Sequence, residues 1–261
     1  AAARVSNSES VSFFGFIGDD NYGSELKNYL KNEEIIIKNI KTHKNSHSGI
    51  AIIFTTNSGQ NHVNAVYGAN EKKDLSLVDV FNKNIKSTKI LITQNELDEE
   101  ITRECMSIAI ENNIPIILDP APYRDNLDFD YYKMADFITP NEIESEYMTG
   151  IKIQNIEDAK KSANLLVAQG IKNCIITLGE NGAYFKNENF ENHFKPHKIQ
   201  EVKASVAAGD AFSGILGASL ASGEELNKSI DTAIVGSALS VTKYGAQESM
   251  PLYDEIINAI N

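Results

Sequence analysis

The feature that most limits what this 261-residue chain can become is the regular exchange of strand and helix patterns after Lys89. Ile90 to Thr93, Ile114 to Leu118, Phe137-Ile138 and Asn173 to Thr177 read as short apolar strands. Between them, Glu100 to Asn112 and Ile156 to Gln169 read as helices, the second with Ala159, Ala163, Leu166 and Val167 on one apolar face. Alternation of this kind predicts parallel strands joined by crossover helices, since each helix returns the chain to the same end of the sheet. Ligands of open α/β sheets bind beyond the carboxyl ends of the strands. The loops Gln94-Asn95-Glu96, Asp119-Pro120-Ala121-Pro122 and Thr139-Pro140-Asn141 are therefore where chemistry is expected.

The rest of the chain fits around that unit. Val11 to Ile17 reads as a strand, broken by Gly18-Asp19-Asp20 before a helical pattern from Tyr22 to Asn32. Residues 49 to 54 and 62 to 67 read as a hairpin across the turn-rich segment 56–60. Two late helices, Asp210 to Ser222 and Glu225 to Tyr244, are rich in Ala, Ser and Gly and so able to pack closely.

Composition narrows the function classes. Thirty-six acidic against 24 basic residues leave a net charge of −12, which repels a nucleic-acid backbone. ATP is not excluded, because helix N-termini, loops and metal ions supply local positive potential. No apolar run approaches the ~20 residues of a membrane helix, and Ala1 to Arg4 lack the pattern of a signal peptide. A cytoplasmic protein with no membrane or nucleic-acid partner is expected. Cys105 and Cys174 then read as free buried thiols.

Ala207-Ala208-Gly209-Asp210 precedes a helix, and its small residues let backbone N–H groups approach an anion at the positive helix end. Asp210 reads either as the cap of that helix or as a base for a hydroxyl proton. Glu144 reads as a solvated helix carboxylate, and Thr177, Gly179 and Gly182 as a plain turn or a weak Thr-x-Gly-x-x-Gly loop. Glu96 reads as an exposed residue opening a helix or as an acceptor for sugar hydroxyls. The His43/His47 and His193/His197 pairs fall in non-helical segments without a further ligand, and read as solvated histidines rather than metal ligands.

Ala207-Ala208-Gly209-Asp210-Ala211-Phe212-Ser213-Gly214 resembles the C-terminal signature of the ribokinase (PfkB) family of carbohydrate kinases. Asp19-Asp20 with Gly23, Gly68-Ala69-Asn70, Asp119-Pro120-Ala121-Pro122, Thr139-Pro140-Asn141-Glu142 with Glu144, Thr177-Leu178-Gly179 with Gly182, and Gly245-Ala246-Gln247 follow in the family's order. The resemblance implies an α/β, ribokinase-like three-layer sandwich over residues 1–261, a mostly parallel central sheet, and a small β lid at about 45–70. It implies Asp210 as catalytic base and sugar contact, with Ala207, Ala208 and Gly209 forming an anion hole. Glu96 becomes a sugar contact. Asn141, Thr177, Gly179, Gly182 and Gly209 become the nucleotide site, and Glu144 holds Mg²⁺ through water.

The activity so implied is transfer of the ATP γ-phosphate to the 5-hydroxyl of D-ribose, with a homodimer formed through the lid. Alternatives are another sugar or nucleoside kinase of the family, or a nucleotide-binding pseudokinase. Gly245 and Ser249 correspond to a site for a monovalent cation, K⁺, but Val202-Lys203-Ala204-Ser205-Val206 lacks the family's Asp and is two residues short. The chain also begins inside an Ala-rich helix. An N-terminal strand with an Asn-x-Asp sugar contact and the first part of the lid are expected to be missing, with residues omitted both there and before Ser205.

Overall fold

The computed structural model describes residues 1–8, 10–55 and 61–260. Helix α1 (Ala2–Val5) is followed by β1 (Gly15–Gly18), α2 (Asn21–Asn32) and β2 (Ile40–His43). A hairpin of β3 (Ile50–Thr55) and β4 (Asn61–Val66) comes next, then α3 (Ser76–Asn84), β5 (Leu91–Thr93), α4 (Glu99–Glu111) and β6 (Ile116–Leu118). The chain continues through α5 (Phe129–Lys133), β7 (Phe137–Ile138), α6 (Glu142–Thr149), α7 (Ile156–Ala168) and β8 (Asn173–Thr177). It ends with β9 (Ala183–Asn187), β10 (Glu191–Phe194), α8 (Ala208–Ala221), α9 (Leu226–Ser240) and α10 (Tyr253–Ile260).

The main sheet has the order β10-β9-β8-β7-β6-β5. Strands β5 to β8 are mutually parallel, while β9 and β10 add to the edge in antiparallel fashion. Side chains of a strand alternate between its faces, and here the alternation builds two cores. Ile116 and Leu118 pack with Cys174 and Ile176 under α4, α5 and α7. Ile117 and Ile175 point the other way, against Phe212, Ile215 and Leu216 of α8 and Ile230 and Ala233 of α9. The predicted three-layer α/β arrangement is what forms.

Small residues set the spacing of the second layer. A Cβ on Gly236 would lie 2.2 Å from Ile215 Cδ1, so α8 and α9 approach only because none is there. The free cysteines are Cys105, half-buried, and Cys174, buried, as expected. Among the described residues no helix is long and apolar enough to cross a membrane.

The N-terminal strand is shorter than predicted. Only Gly15–Gly18 forms β1, pairing in parallel with β2, which the sequence reading missed; Ser12 makes a single bridge to Ile36. The hairpin forms as β3 and β4, and its connection at 56–60 lies outside the described residues. Its foot is tied down by Asp20, the N-cap of α2, which accepts from Gly23 N–H (2.8 Å), Ser48 N–H (2.7 Å) and the Ser48 hydroxyl (2.7 Å). Those bonds, Gly23 N–H first, lower the pKa of Asp20 and keep it charged.

Candidate active site

The site forms where the predicted loops meet at the carboxyl ends of β5, β6, β7 and β8. Asp119 follows β6 directly, and its backbone N–H donates to Thr93 C=O at the end of β5 (2.9 Å). Asn95 N–H donates to Ala121 C=O (2.9 Å) and its side chain to Pro122 C=O (3.2 Å), so the Glu96 loop is fastened to the Asp119 loop. Gln94 grips Glu96 twice, donating to its carboxylate (2.7 Å) and accepting from its N–H (2.5 Å). On the other side, Thr177 N–H donates to Pro140 C=O (2.9 Å), which sets Asn141 beside Thr177.

Helix α8 points its N-terminus into this cleft. Ala207, not Asp210, is the N-cap residue, in the left-handed conformation at φ +61. The first ladder bond runs from Ala211 N–H to Ala207 C=O (2.9 Å). The N–H groups of Gly209 and Asp210 therefore precede the ladder, with that of Ala208 in a long bond to Ser205 C=O (3.5 Å), at the end where the helix dipole favours negative charge. A Cβ built on Gly209 would meet only Asp119 Oδ2, at 3.8 Å, so a ligand can reach this backbone closely.

Three carboxylates converge below those amides. Ser213, one turn further along α8, donates to Asp119 Oδ2 (3.1 Å) and shares a hydrogen bond with Thr139 (3.0 Å). Asp119 is pushed up to about 7, chiefly by desolvation, then by the charges of Glu144 and Asp210. Glu144 and Asp210 are also raised, each mainly by desolvation. Asp210 itself is exposed to solvent. Asp119, Ser213 and Thr139 were not singled out as site residues from sequence. The signal available was an Asp closing an apolar strand immediately before Pro.

Asn141 and Glu144 form a capping box on α6. Asn141 Oδ1 accepts from Ile143 and Glu144 N–H (2.9 Å each), and Glu144 Oε2 accepts from Asn141 N–H (2.9 Å). The donor set that Asp119 and Glu144 offer is all oxygen, anionic and self-repelling, which suits Mg²⁺ with part of its water shell.

Gly179 and Gly182 frame a single 3-10 turn between β8 and β9. Gly182 has φ +85, and a Cβ there would stand 2.1 Å from Phe194 C=O, so no other residue fits. Gly245 and Ser249 lie apart, on the loop after α9 that Arg4 fastens through Met250 C=O (2.5 Å). The Ser249 hydroxyl is committed to Ala246 C=O (2.9 Å), and the Lys203 ammonium sits over the Tyr244 ring at 5.9 Å. Residues 202–206 supply no carboxylate here, and the acidic group beside Gly245 is that of Glu248.

Comparison with known proteins agrees with this arrangement. The model of the pfkB family carbohydrate kinases matches residues 1–252. A ribokinase of Schizosaccharomyces pombe is 30% identical over 266 residues, covering 100% of this chain and 83% of that protein. The crystal structure of a Thermotoga maritima ribokinase superposes with a TM-score of 0.86 at 28% identity, over 99% of this chain and 84% of that one. A ribokinase of Arabidopsis thaliana, solved with ribose and ATP, gives 0.86 at 20% identity, over 100% of this chain and 86% of that one, a likeness of fold. With the signature turn at the head of α8 and a family match along nearly its whole length, the chain belongs to the pfkB family of carbohydrate kinases.

Proposed function

We propose that this chain transfers the γ-phosphoryl group of ATP to the 5-hydroxyl of D-ribose, giving ribose 5-phosphate and ADP. The observation that carries the reading is Asp210 in the first turn of α8, beside amides that precede the helix ladder and across from Asp119 and Glu144. The S. pombe relative is a ribokinase, and the A. thaliana structure holds ribose and ATP in the same fold.

In this mechanism Asp210 accepts the proton of the attacking hydroxyl as the phosphoryl group moves. Phosphoryl transfer passes through a loose transition state, so aligning the hydroxyl matters more than strong basicity. Negative charge developing on the transferred group is met by the N–H groups of Ala208 and Gly209 and by the dipole of α8. Glu96, held in place by Gln94, accepts from a sugar hydroxyl. Asn141, Thr177, Gly179 and Gly182 border the nucleotide. Glu144 and Asp119 would hold Mg²⁺, largely through water, and the ion would neutralise phosphate oxygens. No step depends on a monovalent cation.

The β3–β4 hairpin closes over the sugar and excludes water. It leaves Ile52 57%, Phe54 59%, Val63 54% and Val66 59% exposed, an apolar load that a second copy of the hairpin covers in a homodimer. The supply of ATP goes with a cytoplasmic location.

Release of ADP, followed with ribose, fructose and adenosine offered in parallel, tests the reading. Ribose is expected to give the highest kcat/KM. Preference for adenosine or fructose would move the chain to another branch of the family, and ATP binding without turnover would make it a pseudokinase.

A further inference from the structure

The chain has three arginines, and two are engaged. Arg4 makes a two-pronged pair with Glu33 (2.6 and 2.7 Å), and Arg103 bonds Glu99 (2.6 Å) and Asp128 (3.1 Å). Arg124 is different. It is half-buried just after the Asp119-Pro122 loop, and among the described residues no carboxylate stands within 4 Å of its guanidinium. None of its guanidinium nitrogens is both buried and unpaired, so they stay open to water or to a ligand.

Arg124 lines a cleft of about 250 Å³ between the foot of the hairpin and the loops after β5 and β6. Glu96 lines the same cleft, with Tyr67, Asn70 and Glu71 from the hairpin side and Asp98 from the loop after β5. At about 30 Å³ per water that is room for roughly eight waters, or for one small polar ligand. Three carboxylates around one guanidinium oppose an anionic occupant. A neutral polyol suits the lining, because each hydroxyl both donates and accepts. Glu96 can only accept and Arg124 can only donate, so the two complete a single hydroxyl placed between them. None of residues 207–210 borders the cleft, so that hydroxyl lies away from the one facing Asp210.

We propose that Arg124 is a specificity-determining residue of the kinase, clamping with Glu96 one hydroxyl of the sugar at the end remote from the reacting 5-hydroxyl. The proposal rests on the sugar-kinase reading of the site. A polar pocket built for a hydroxyl rejects the analogue lacking it, since both protein groups are then left unpaired. Arg124 therefore sets which deoxy sugars the enzyme refuses.

The test measures kcat and KM for D-ribose and for its 1-, 2- and 3-deoxy analogues, in wild type, Arg124→Met and Arg124→Lys. In wild type, one analogue should fall below ribose by roughly 10- to 100-fold in kcat/KM, the loss expected when a charged hydrogen-bond partner goes unused. In Arg124→Met, ribose should lose a similar factor, mainly through KM, while that one analogue loses little, so their ratio collapses towards one. Arg124→Lys should restore part of the ratio, and KM for ATP should not move. Equal loss for all four sugars, or no loss for any, overturns the proposal. Should Arg124→Met fail to fold, the same series in Arg124→Lys decides, with parallel loss again overturning it. Failure of wild type to phosphorylate any of the sugars is a separate result, which removes the underlying reading and the proposal with it.

Discussion

Replacing Asp119 by Asn isolates the electrostatic cost built into the site. The Asp119 carboxyl is raised from 3.8 to about 7, first by desolvation and then by Glu144 and Asp210. The folded state thus holds this proton more tightly than the unfolded chain does. Its contribution to stability is present at low pH and is lost as pH rises from about 4 through about 7. At 1.36 kcal/mol per pH unit the full cost of ionising it in place is about 4 kcal/mol, reduced by whatever solvent screens the half-buried group. Asn keeps the shape and still accepts from the Ser213 hydroxyl, which bonds Asp119 at 3.1 Å, but it carries no charge. Urea unfolding of both proteins at pH 5 and pH 8, without nucleotide or metal, reads the difference. The variant should gain on wild type by about 2 kcal/mol between the two pH values, because wild type ionises Asp119 over that interval. Mg²⁺ with ATP should narrow the gap by stabilising wild type more than the variant. A gap that stays constant between pH 5 and pH 8 would refute the claim that burial, with Glu144 and Asp210 beside it, holds the Asp119 carboxyl well above the usual carboxylate range.

Asp210→Ala should cut kcat by about 10² to 10⁴ while leaving ATP affinity nearly unchanged, as steady-state kinetics and calorimetry would show; an unchanged kcat removes Asp210 from the chemistry. Ala207→Gly should raise stability by about 1 kcal/mol, because Ala207 holds φ +61, where a Cβ costs roughly 1–2 kcal/mol; a thermal melt no higher than wild type would count against that strain. Phe54→Asp should halve the sedimenting mass, since Phe54 is 59% exposed on the hairpin proposed to pair; an unaltered mass places any dimer contact elsewhere.

The layered fold was legible because its central strands are apolar on both sides. Ile116-Ile117-Leu118 and Cys174-Ile175-Ile176 face helices above and below, as runs alternating with helical patterns do in a covered parallel sheet. Strands β9 and β10 were missed because Lys186 and Asn187 cut short the buried apolar run of β9, and Glu191, Asn192 and His193 leave β10 at the sheet edge with little apolar pattern. β2 was hidden for a similar reason, with Lys41 and Thr42 between Ile40 and His43.

At the site, the signature turn was readable but its geometry was not. Ala207 carries no sequence mark of a left-handed backbone, so the bare residues left open a capping role for Asp210, which lies inside the helix. Asp119 was placed in a loop expected to carry chemistry, but without a role of its own. Only the folded chain sets it against Glu144 and Asp210, from parts of the sequence that local pattern cannot connect.

The central claim, phosphoryl transfer to ribose by the turn at Asp210, is tested most directly by ³¹P NMR of a reaction containing the protein, ribose, ATP and Mg²⁺. The account predicts a phosphomonoester on the 5-carbon of ribose, formed one for one with ADP and formed at least about a hundredfold more slowly when Asp210→Ala replaces wild type. ADP formed without that ester, or the ester formed equally by the Asp210→Ala protein, would contradict it.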